Sequence, residues 1–366
     1  MFTSRRFMLP LAAMLITCQF PQSASPEPPR VYRNRLKPIP NPQPLLADYP
    51  EFVQPVLESR HFEAPRLIDD ADPTISVRAW RFSYNARGII EVPNHLNGSK
   101  TALIMVHPWG VDDGQGWRSP QPAGVAFGCT PEKNQAILKH SRVVINPLLK
   151  KWRNEVGLVL FSLPRDPDPI RRKLYRSTDY IPTQAERRVA AGQLTEKLNS
   201  FDYRGQPIPG EIMVGDRPVV DYFKAFPGID SSAHYNNEGF WKLPIPVMKT
   251  IKVEDDDVVL YDNQGYDVLK TFLEKQGIEH VLLCGYATDM CICSTTAGYE
   301  NLREDFNVFL IGDATQSTLP ANTTARYATN QSLSYASLNL FITQVSWIKP
   351  LNSRTVASKR IEQRRR

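Results

Sequence analysis

Cysteine is scarce in this sequence, and its spacing argues against several classes of protein. The 366 residues contain 5 cysteines, and three of them, Cys284, Cys291 and Cys293, fall within ten residues. No CxxC pair occurs, and no His and Cys residues follow the spacing of a metal site. An exported domain stabilised by disulfides would spread its cysteines along the chain. The sequence therefore predicts no disulfide framework and no bound metal, and it indicates no other cofactor.

An excess of one charge is also lacking in the body of the chain. The formal net charge is +6, but Arg5, Arg6 and the terminal stretch KRIEQRRR account for all of it. No basic patch with interleaved aromatic residues lies between them, which argues against nucleic-acid binding. We expect a small-molecule substrate as the partner, with monomer and homo-oligomer both left open. The basic tail, 351–366, is expected to be a solvated end.

The first apolar run is too short for a confident membrane span. FMLPLAAMLITCQF follows the basic start MFTSRR and precedes the small residues QSAS, which is the pattern of a cleaved secretory signal. Ser4, Arg5 and Arg6 also resemble a twin-arginine signal, so the Sec and twin-arginine routes both stay open. We expect residues 1–25 to be a signal peptide and the mature protein to be periplasmic or extracellular. No stable membrane span is expected after cleavage.

Three segments are expected to lie outside the catalytic core. Residues 21–50 carry nine prolines, which predicts an extended linker or arm over 26–60. ISVRAWRFSYNARGIIEVP alternates in polarity, which predicts a β-hairpin turning at 85–88 within a β extension, 61–100. Residues 163–250 are rich in Pro, Gly, Asp and Arg with weak periodicity. They are predicted to form a long irregular insertion that acts as a lid.

The remaining segment, 101–350, alternates between apolar runs and helical patterns. The predicted strands are TALIMVH (101–107), GLVLFS (157–162), DVVLYD (257–262), HVLLCG (280–285) and NVFLIGD (307–313). The predicted helices are CTPEKNQAILKHSRVVINPLLKKW, GYDVLKTFLEKQG, CICSTTAGYENLRE and 322–343, the first of them kinked or split by Pro147. This alternation predicts an α/β fold, a doubly wound and mainly parallel sheet with helices on both faces.

Cys291 lies within GYATDMCICSTT, at the junction between the predicted strand HVLLCG and the predicted helix that follows it. A helix N-terminus favours a thiolate, and its free N–H groups can stabilise an oxyanion. Ligands bind at this edge of open α/β sheets. An inert buried cysteine is the alternative interpretation. Cys293 would point about 200° away around the helix, which argues against a redox pair with Cys291.

The stretch GYATDMCICSTT resembles the signature of the isochorismatase-like cysteine hydrolases. The similarity extends from TALIMVH through GDATQS, or roughly residues 100–345. It implies that Cys291 is a nucleophile that hydrolyses a small amide, ester or related group through a covalent thioester. It further implies a cis peptide at Ala287–Thr288. The oxyanion site would then combine the N–H of Cys291 with that of Met290 or Thr288.

Two positions depart from the family pattern. The family has an Asp at the end of its first strand and a Lys near the end of its third, where this sequence has His107 and Asp262. One interpretation is a decayed site in a protein that only binds its ligand. The other is a rewired Cys–His–Asp triad, in which imidazole takes the thiol proton and a carboxylate orients the imidazole. Asp112 and Asp113 are rival orienting groups.

Further candidates follow the first two strands. Arg118 and Arg165 could hold an anionic substrate through bidentate contacts, with surface salt bridges as the alternative. Trp109 could line one side of the substrate pocket. A nicotinamidase-type metal site would need an Asp-x-His run and a further His after the second strand, and FSLPRDPDP offers no His. The resemblance therefore also argues against a metal.

Overall fold

The computed structural model describes residues 30–108, 131–200, 210–224, 247–319 and 323–350. Two compact units are distinguished, 1–33 and 34–366, and the account below concerns the second. The predicted signal peptide, 1–25, and the basic tail, 351–366, lie outside the described residues. Their assignments therefore stay predictions.

A single sheet runs through the described part of the second unit. Its strands are β1 (Lys37–Ile39), β2 (His61–Glu63), β3 (Ile75–Ser83), β4 (Gly88–Leu96), β5 (Thr101–Val106), β6 (Leu158–Leu163), β7 (Val258–Tyr261), β8 (His280–Tyr286), β9 (Asn307–Gln316) and β10 (Gln344–Pro350). The spatial order is β1-β2-β4-β3-β10-β9-β8-β5-β6-β7. The five strands from β9 to β7 in this order pair in parallel. This parallel core confirms the predicted fold class.

The antiparallel part of the sheet is built from the predicted hairpin. β3 and β4 pair along their whole length, with Ser83 opposite Gly88 across the turn. β10 then runs antiparallel to β3 and parallel to β9, and so joins the extension to the parallel core. The sequence did not predict β10, whose residues directly follow the predicted helix 322–343. In the structure that helix ends earlier, at Asn339.

Helices cover both faces of the parallel core. They are α1 (Pro131–His140), α2 (Asn146–Trp152), α3 (Pro169–Leu174), α4 (Gln184–Ser200), α5 (Pro218–Lys224), α6 (Tyr266–Lys275), α7 (Tyr299–Leu302) and α8 (Ala325–Asn339). Leu103 and Met105 of β5 pack on the side of α1 and α2, whereas Ala102 and Ile104 pack on the side of α6 and α8. Burial of both faces explains why the core strands are continuously apolar. No helix in the described ranges is long and apolar enough to cross a membrane.

Pro147 divides the first long helix as predicted. A π-helical segment, Ser141–Ile145, separates α1 from α2, and Pro147 is in the first turn of α2. Proline lacks an N–H and its ring clashes with the carbonyl one turn earlier, so regular α-helical bonding cannot continue through it.

The insertion 163–250 is not irregular in its described part, so that detail of the prediction was wrong. It contains α3, α4 and α5, and α4 alone has 17 residues. Its sequence, QAERRVAAGQLTEKLNS, is rich in strong helix formers, but only Ala190 and Leu198 are buried. With so few apolar contacts the helix carries little hydrophobic periodicity, which is the signal that sequence reasoning depends on.

Gly285 allows the ends of β5 and β8 to approach closely, and a substitution there should be costly. It has φ +117°, and a Cβ at this position would lie 2.2 Å from the Val106 carbonyl oxygen. Gly277 also has a positive φ, +69°, but a Cβ there would meet nothing within 4 Å. We expect Gly277→Ala to cost about 1 kcal/mol, and Gly285→Ala about 3 kcal/mol or more. Equal losses in urea unfolding would contradict the close-approach explanation.

Candidate active site

The ends of three parallel strands bring the candidate residues together. His107 directly follows β5, Asp262 directly follows β7, and Cys291 lies in the turns after β8. β5 lies between β8 and β6, and β6 pairs with β7. Because the strands are parallel, all three residues lie at the carboxyl edge of the sheet, where open α/β sheets bind ligands.

His107 and Asp262 form a buried charge contact. The His107 Nε2 and Asp262 Oδ2 atoms are 2.8 Å apart, so the protonated imidazole and the carboxylate form an ion pair. His107 is only 6% exposed and has an unusual φ of +42°. Its backbone N–H donates to the Ser162 carbonyl oxygen at 3.0 Å, which holds this conformation.

The same imidazole interacts with the Cys291 thiol group. Burial alone would lower the pKa of His107, but the charge of Cys291, hydrogen bonds to Asp262 and Cys291, and the charge of Asp262 outweigh it and raise the pKa to about 10. The imidazolium therefore persists across the neutral pH range. It places a positive charge beside a cysteine that is itself partly exposed.

Two hydroxyl groups hold Asp262, and sequence reasoning missed both. The Ser162 Oγ donates to the Asp262 Oδ1 at 3.2 Å, and the Thr296 Oγ1 donates to the Asp262 carbonyl oxygen at 2.6 Å. A signal for Ser162 was present, because it is the one polar residue of the apolar strand LVLFSL. It also stands at the end of that strand nearest the site. Thr296 lies in the STT run after Cys291, where nothing but position marks it.

Cys291 does not lie at a helix N-terminus, so that prediction was wrong. Residues 288–293 form consecutive turns, and α7 begins only at Tyr299. Ser294, Thr295 and Thr296 separate the turns from the helix, and short hydroxyl side chains compete with helical hydrogen bonding. The backbone bonding there is also not helical, because the Tyr299 N–H donates to the Ile292 carbonyl oxygen at 2.8 Å. The positive charge beside the thiol therefore comes from His107 rather than from a helix dipole.

The turns around Cys291 are anchored to β9 and the residues after it. The Thr288 N–H donates to the Gln316 carbonyl oxygen at 3.0 Å, and the Thr288 and Thr315 hydroxyl groups are 2.6 Å apart. The Asp289 carboxylate accepts from both the N–H and the hydroxyl of Thr318, at 3.0 and 2.8 Å. These bonds fix the backbone immediately before the candidate nucleophile.

The predicted oxyanion donors are only partly available. The Thr288 N–H is taken by Gln316, and the Met290 N–H donates to the Ala287 carbonyl oxygen at 3.0 Å. Those two donors were therefore wrongly predicted. Within the described ranges the N–H groups of Ala287 and Cys291 have no acceptor. The cis peptide is Tyr286–Ala287, one residue before the predicted position.

The neighbouring cysteines differ from Cys291 in their surroundings. Burial raises the pKa of Cys284. Burial, with the nearby Asp289, also raises the pKa of Cys293 to about 11. The Cys293 Sγ donates to the Thr288 carbonyl oxygen at 3.1 Å. Both cysteines therefore stay protonated near neutral pH, and Cys293 is held by its own hydrogen bond.

Arg165, one of the two arginines predicted to bind substrate, lies within the described part of the chain. It follows β6, and its carbonyl oxygen accepts from the Asn263 N–H at 3.4 Å, next to Asp262. Burial first, and then the charge of Arg171, lower the pKa of Arg165 to about 10, although Asp166 and Asp168 act in the opposite direction. Four candidates lie outside the described residues: Trp109, Asp112, Asp113 and Arg118.

One group of metal-type ligands occurs within the described ranges, near the start of β8. Asp70, Glu279 and His280 place ligand atoms within 4.8 Å of one another. His280 Nε2 lies 2.9 Å from Asp70 Oδ2, and Glu279 pairs with Lys100 at 2.6 Å. Each of the three groups therefore already has a side-chain partner, and they lie at the opposite edge of the sheet from Cys291.

The charge of His107 should control the reactivity of Cys291. We expect iodoacetamide to label Cys291 selectively at pH 7, while Cys284 and Cys293 stay unmodified because their thiols are protonated. Since the pKa of His107 is about 10, the imidazolium should influence the labelling rate throughout the range from pH 7 to 9. His107→Gln removes the positive charge and should slow labelling at pH 7 about tenfold or more. Peptide mass spectrometry gives the rates, and equal rates in both proteins would contradict the charge pairing.

Comparison with known proteins gives one family match. The isochorismatase domain model matches residues 247–343, a segment that includes Asp262, the turns around Cys291, and the whole of β9 and α8. No match was found among curated proteins.

Solved structures with low similarity include three hydrolases. A cysteine hydrolase from Pseudomonas syringae pv. phaseolicola 1448A is 17% identical, with 73% of this chain and 95% of that chain covered and a TM-score of 0.33. A nicotinamidase from Bacillus subtilis is 14% identical, with coverage of 67% and 98% and a TM-score of 0.29. A pyrazinamidase of Pyrococcus horikoshii in complex with zinc is 17% identical, with coverage of 68% and 99% and a TM-score of 0.33. Similarity at this level does not indicate which reaction this chain catalyses.

Proposed function

We propose that this chain is an isochorismatase-like hydrolase, because the family model matches residues 247–343, and that it hydrolyses a small amide, ester or related group through a thioester on Cys291. The single observation that carries the proposal is the buried imidazole of His107, which lies 2.8 Å from the Asp262 carboxylate and interacts electrostatically with Cys291. A thiol, an imidazole and a carboxylate in contact are the components of a thiol hydrolase.

The first half of the proposed reaction forms the thioester. The Cys291 thiolate attacks the substrate carbonyl carbon, and the carbonyl oxygen becomes an oxyanion. The N–H groups of Ala287 and Cys291 are the donors proposed to bind it. The His107 imidazolium then gives its proton to the leaving amine or alcohol, the bond from the carbonyl carbon to the leaving atom breaks, and the acyl group stays on sulfur.

The second half releases the acid. The now neutral His107 takes a proton from water, and the hydroxide attacks the thioester carbon. Collapse of the tetrahedral intermediate breaks the carbon–sulfur bond, releases the carboxylic acid and restores the thiolate beside an imidazolium. Asp262 stays ionised throughout and orients the ring that moves the proton.

The charges at the two altered positions support a rewired site over a decayed one. The family pattern supplies an anion on the first strand, a cation near the third and a thiolate. Here His107 supplies the cation on the first strand, and Asp262 supplies the anion after β7. The balance of one positive and two negative groups is kept although each position has changed sign. Independent losses would not be expected to preserve that balance.

Exchanging the two charges tests this reasoning. His107→Asp alone places two carboxylates beside the thiolate, which disfavours it, and we expect hydrolysis of a reactive ester such as p-nitrophenyl acetate to fall about a hundredfold. Adding Asp262→Lys restores one positive group and should recover part of that loss. Thermal unfolding of each variant controls for folding. A single variant as active as wild type would refute the role of His107.

Trapping the intermediate separates an enzyme from a binding protein. After acid quenching of a mixture with small amides and esters, an enzyme should show the acyl mass on the Cys291 peptide, and Cys291→Ala should lose it. A binding protein would instead show ligand protection of Cys291 from iodoacetamide without any product. The third alternative, a redox protein, would require a Cys291–Cys293 disulfide, and the hydrogen bond from Cys293 to Thr288 opposes it.

Export is a separate proposal that rests on residues 1–25 alone. The basic start, the apolar run and the small residues after it support cleavage near Ser25 or Pro26. N-terminal sequencing of protein from an extracytoplasmic fraction should begin there. Recovery of Met1 from that fraction would refute cleavage. Arg5→Lys with Arg6→Lys should block export only if the twin-arginine route is used.

A further inference from the structure

Ser162 lies between the two strands that supply His107 and Asp262. It pairs with Val106 of β5 on one side and with Leu260 of β7 on the other. Its exposure is 0%, and the rest of its strand is apolar. A buried hydroxyl in such a strand is unfavourable unless it makes hydrogen bonds. The partners of this hydroxyl therefore indicate why a serine is there.

Ser162 contacts both members of the charge pair through different groups. Its carbonyl oxygen accepts from the His107 N–H at 3.0 Å, and its hydroxyl donates to the Asp262 Oδ1 at 3.2 Å. The other carboxylate oxygen, Oδ2, is the one that lies 2.8 Å from the His107 Nε2. Ser162 thus fixes the backbone of His107 and also restrains the rotation of the Asp262 carboxylate that faces the imidazole.

The remaining restraint on Asp262 does not act on its carboxylate. Thr296 donates to the Asp262 backbone carbonyl oxygen, which fixes the main chain and leaves the side chain free to rotate. Within the described residues, Ser162 is the one hydroxyl that holds a carboxylate oxygen of Asp262. Loss of that hydroxyl would therefore loosen the Oδ2 contact with His107 while both backbones stay fixed.

We propose that Ser162 is a positioning residue that turns the Asp262 carboxylate toward His107 and so sustains the thiolate–imidazolium pair with Cys291. This inference rests on the proposed function. Ser162 contacts Asp262 and the His107 backbone rather than the reacting sulfur, so its hydroxyl acts through Asp262. Its removal should change kcat and the pH profile of the thiol, and leave KM nearly unchanged.

The test is the rate of Cys291 alkylation by iodoacetamide as a function of pH. A weaker imidazolium stabilises the thiolate less, so in Ser162→Ala the rise of the rate should move to higher pH, by about one unit. At pH values below the rise, alkylation should be about tenfold slower than in wild type, since one unit corresponds to a tenfold change.

Two sets of variants separate this role from a packing role. Ser162→Thr and Ser162→Val have side chains of the same shape, but only the first keeps a hydroxyl, so the first should lie closer to wild type in the pH profile. Ser177 provides a matched control. It is also buried, and its Oγ donates to the Asp179 carboxylate at 2.8 Å, but neither residue belongs to the candidate site. Ser177→Ala should leave the profile unchanged.

The outcomes distinguish this inference from the proposed function. If the wild-type rate does not depend on His107, the proposed function fails, and the role of Ser162 fails with it. If the rate does depend on His107 but the pH profile of Ser162→Ala superimposes on the wild-type profile, only the positioning role is overturned. If Ser162→Ala does not fold, the Thr and Val pair decides, and identical profiles for those two would overturn the inference.

Discussion

The buried charge of His107 is the feature on which the rest of the site depends. An imidazolium removed from water is unfavourable, and burial on its own would lower the pKa of this group. Cys291 and Asp262 reverse that tendency and raise the pKa to about 10. The thiol, the imidazole and the carboxylate have to be considered as one coupled unit, and substitution of any member changes the other two.

The strand order provides this unit without a dedicated loop. β6 separates β5 from β7, so the residues that follow those two strands face each other across the end of β6, and Ser162 is the β6 residue at that level. The close approach at Gly285 brings β8 against the end of β5, which places the turn with Cys291 beside His107. Hydrogen bonds from Thr288 and Asp289 to β9 and beyond then fix the turn.

The sequence predicted features that depend on pattern, and it missed those that depend on tertiary hydrogen bonds. Continuous apolar runs predicted the parallel strands, and polarity alternation predicted the β3–β4 hairpin, because both patterns reflect burial directly. The helix expected at Cys291 is absent because the backbone after it follows a different bonding pattern, in which the Tyr299 N–H donates to the Ile292 carbonyl oxygen. α4 lacked an apolar stripe, and β10 is defined by its pairing with β3 and β9. The contact of Ser162 with Asp262 joins residues 100 positions apart, a relation that no local pattern carries.

The energetics of burial bear on whether such a site is a remnant. A buried ion pair contributes little net stability, and replacing one with apolar side chains is often neutral or stabilising. A protein that needed only its fold would gain nothing from keeping His107 and Asp262 at the end of an apolar sheet. Leaving one charge without the other would be unfavourable, so the two have to be present together. Their joint presence, with a hydroxyl that orients the carboxylate and a thiol that interacts with the imidazole, supports the proposed chemistry at Cys291 over a role in packing.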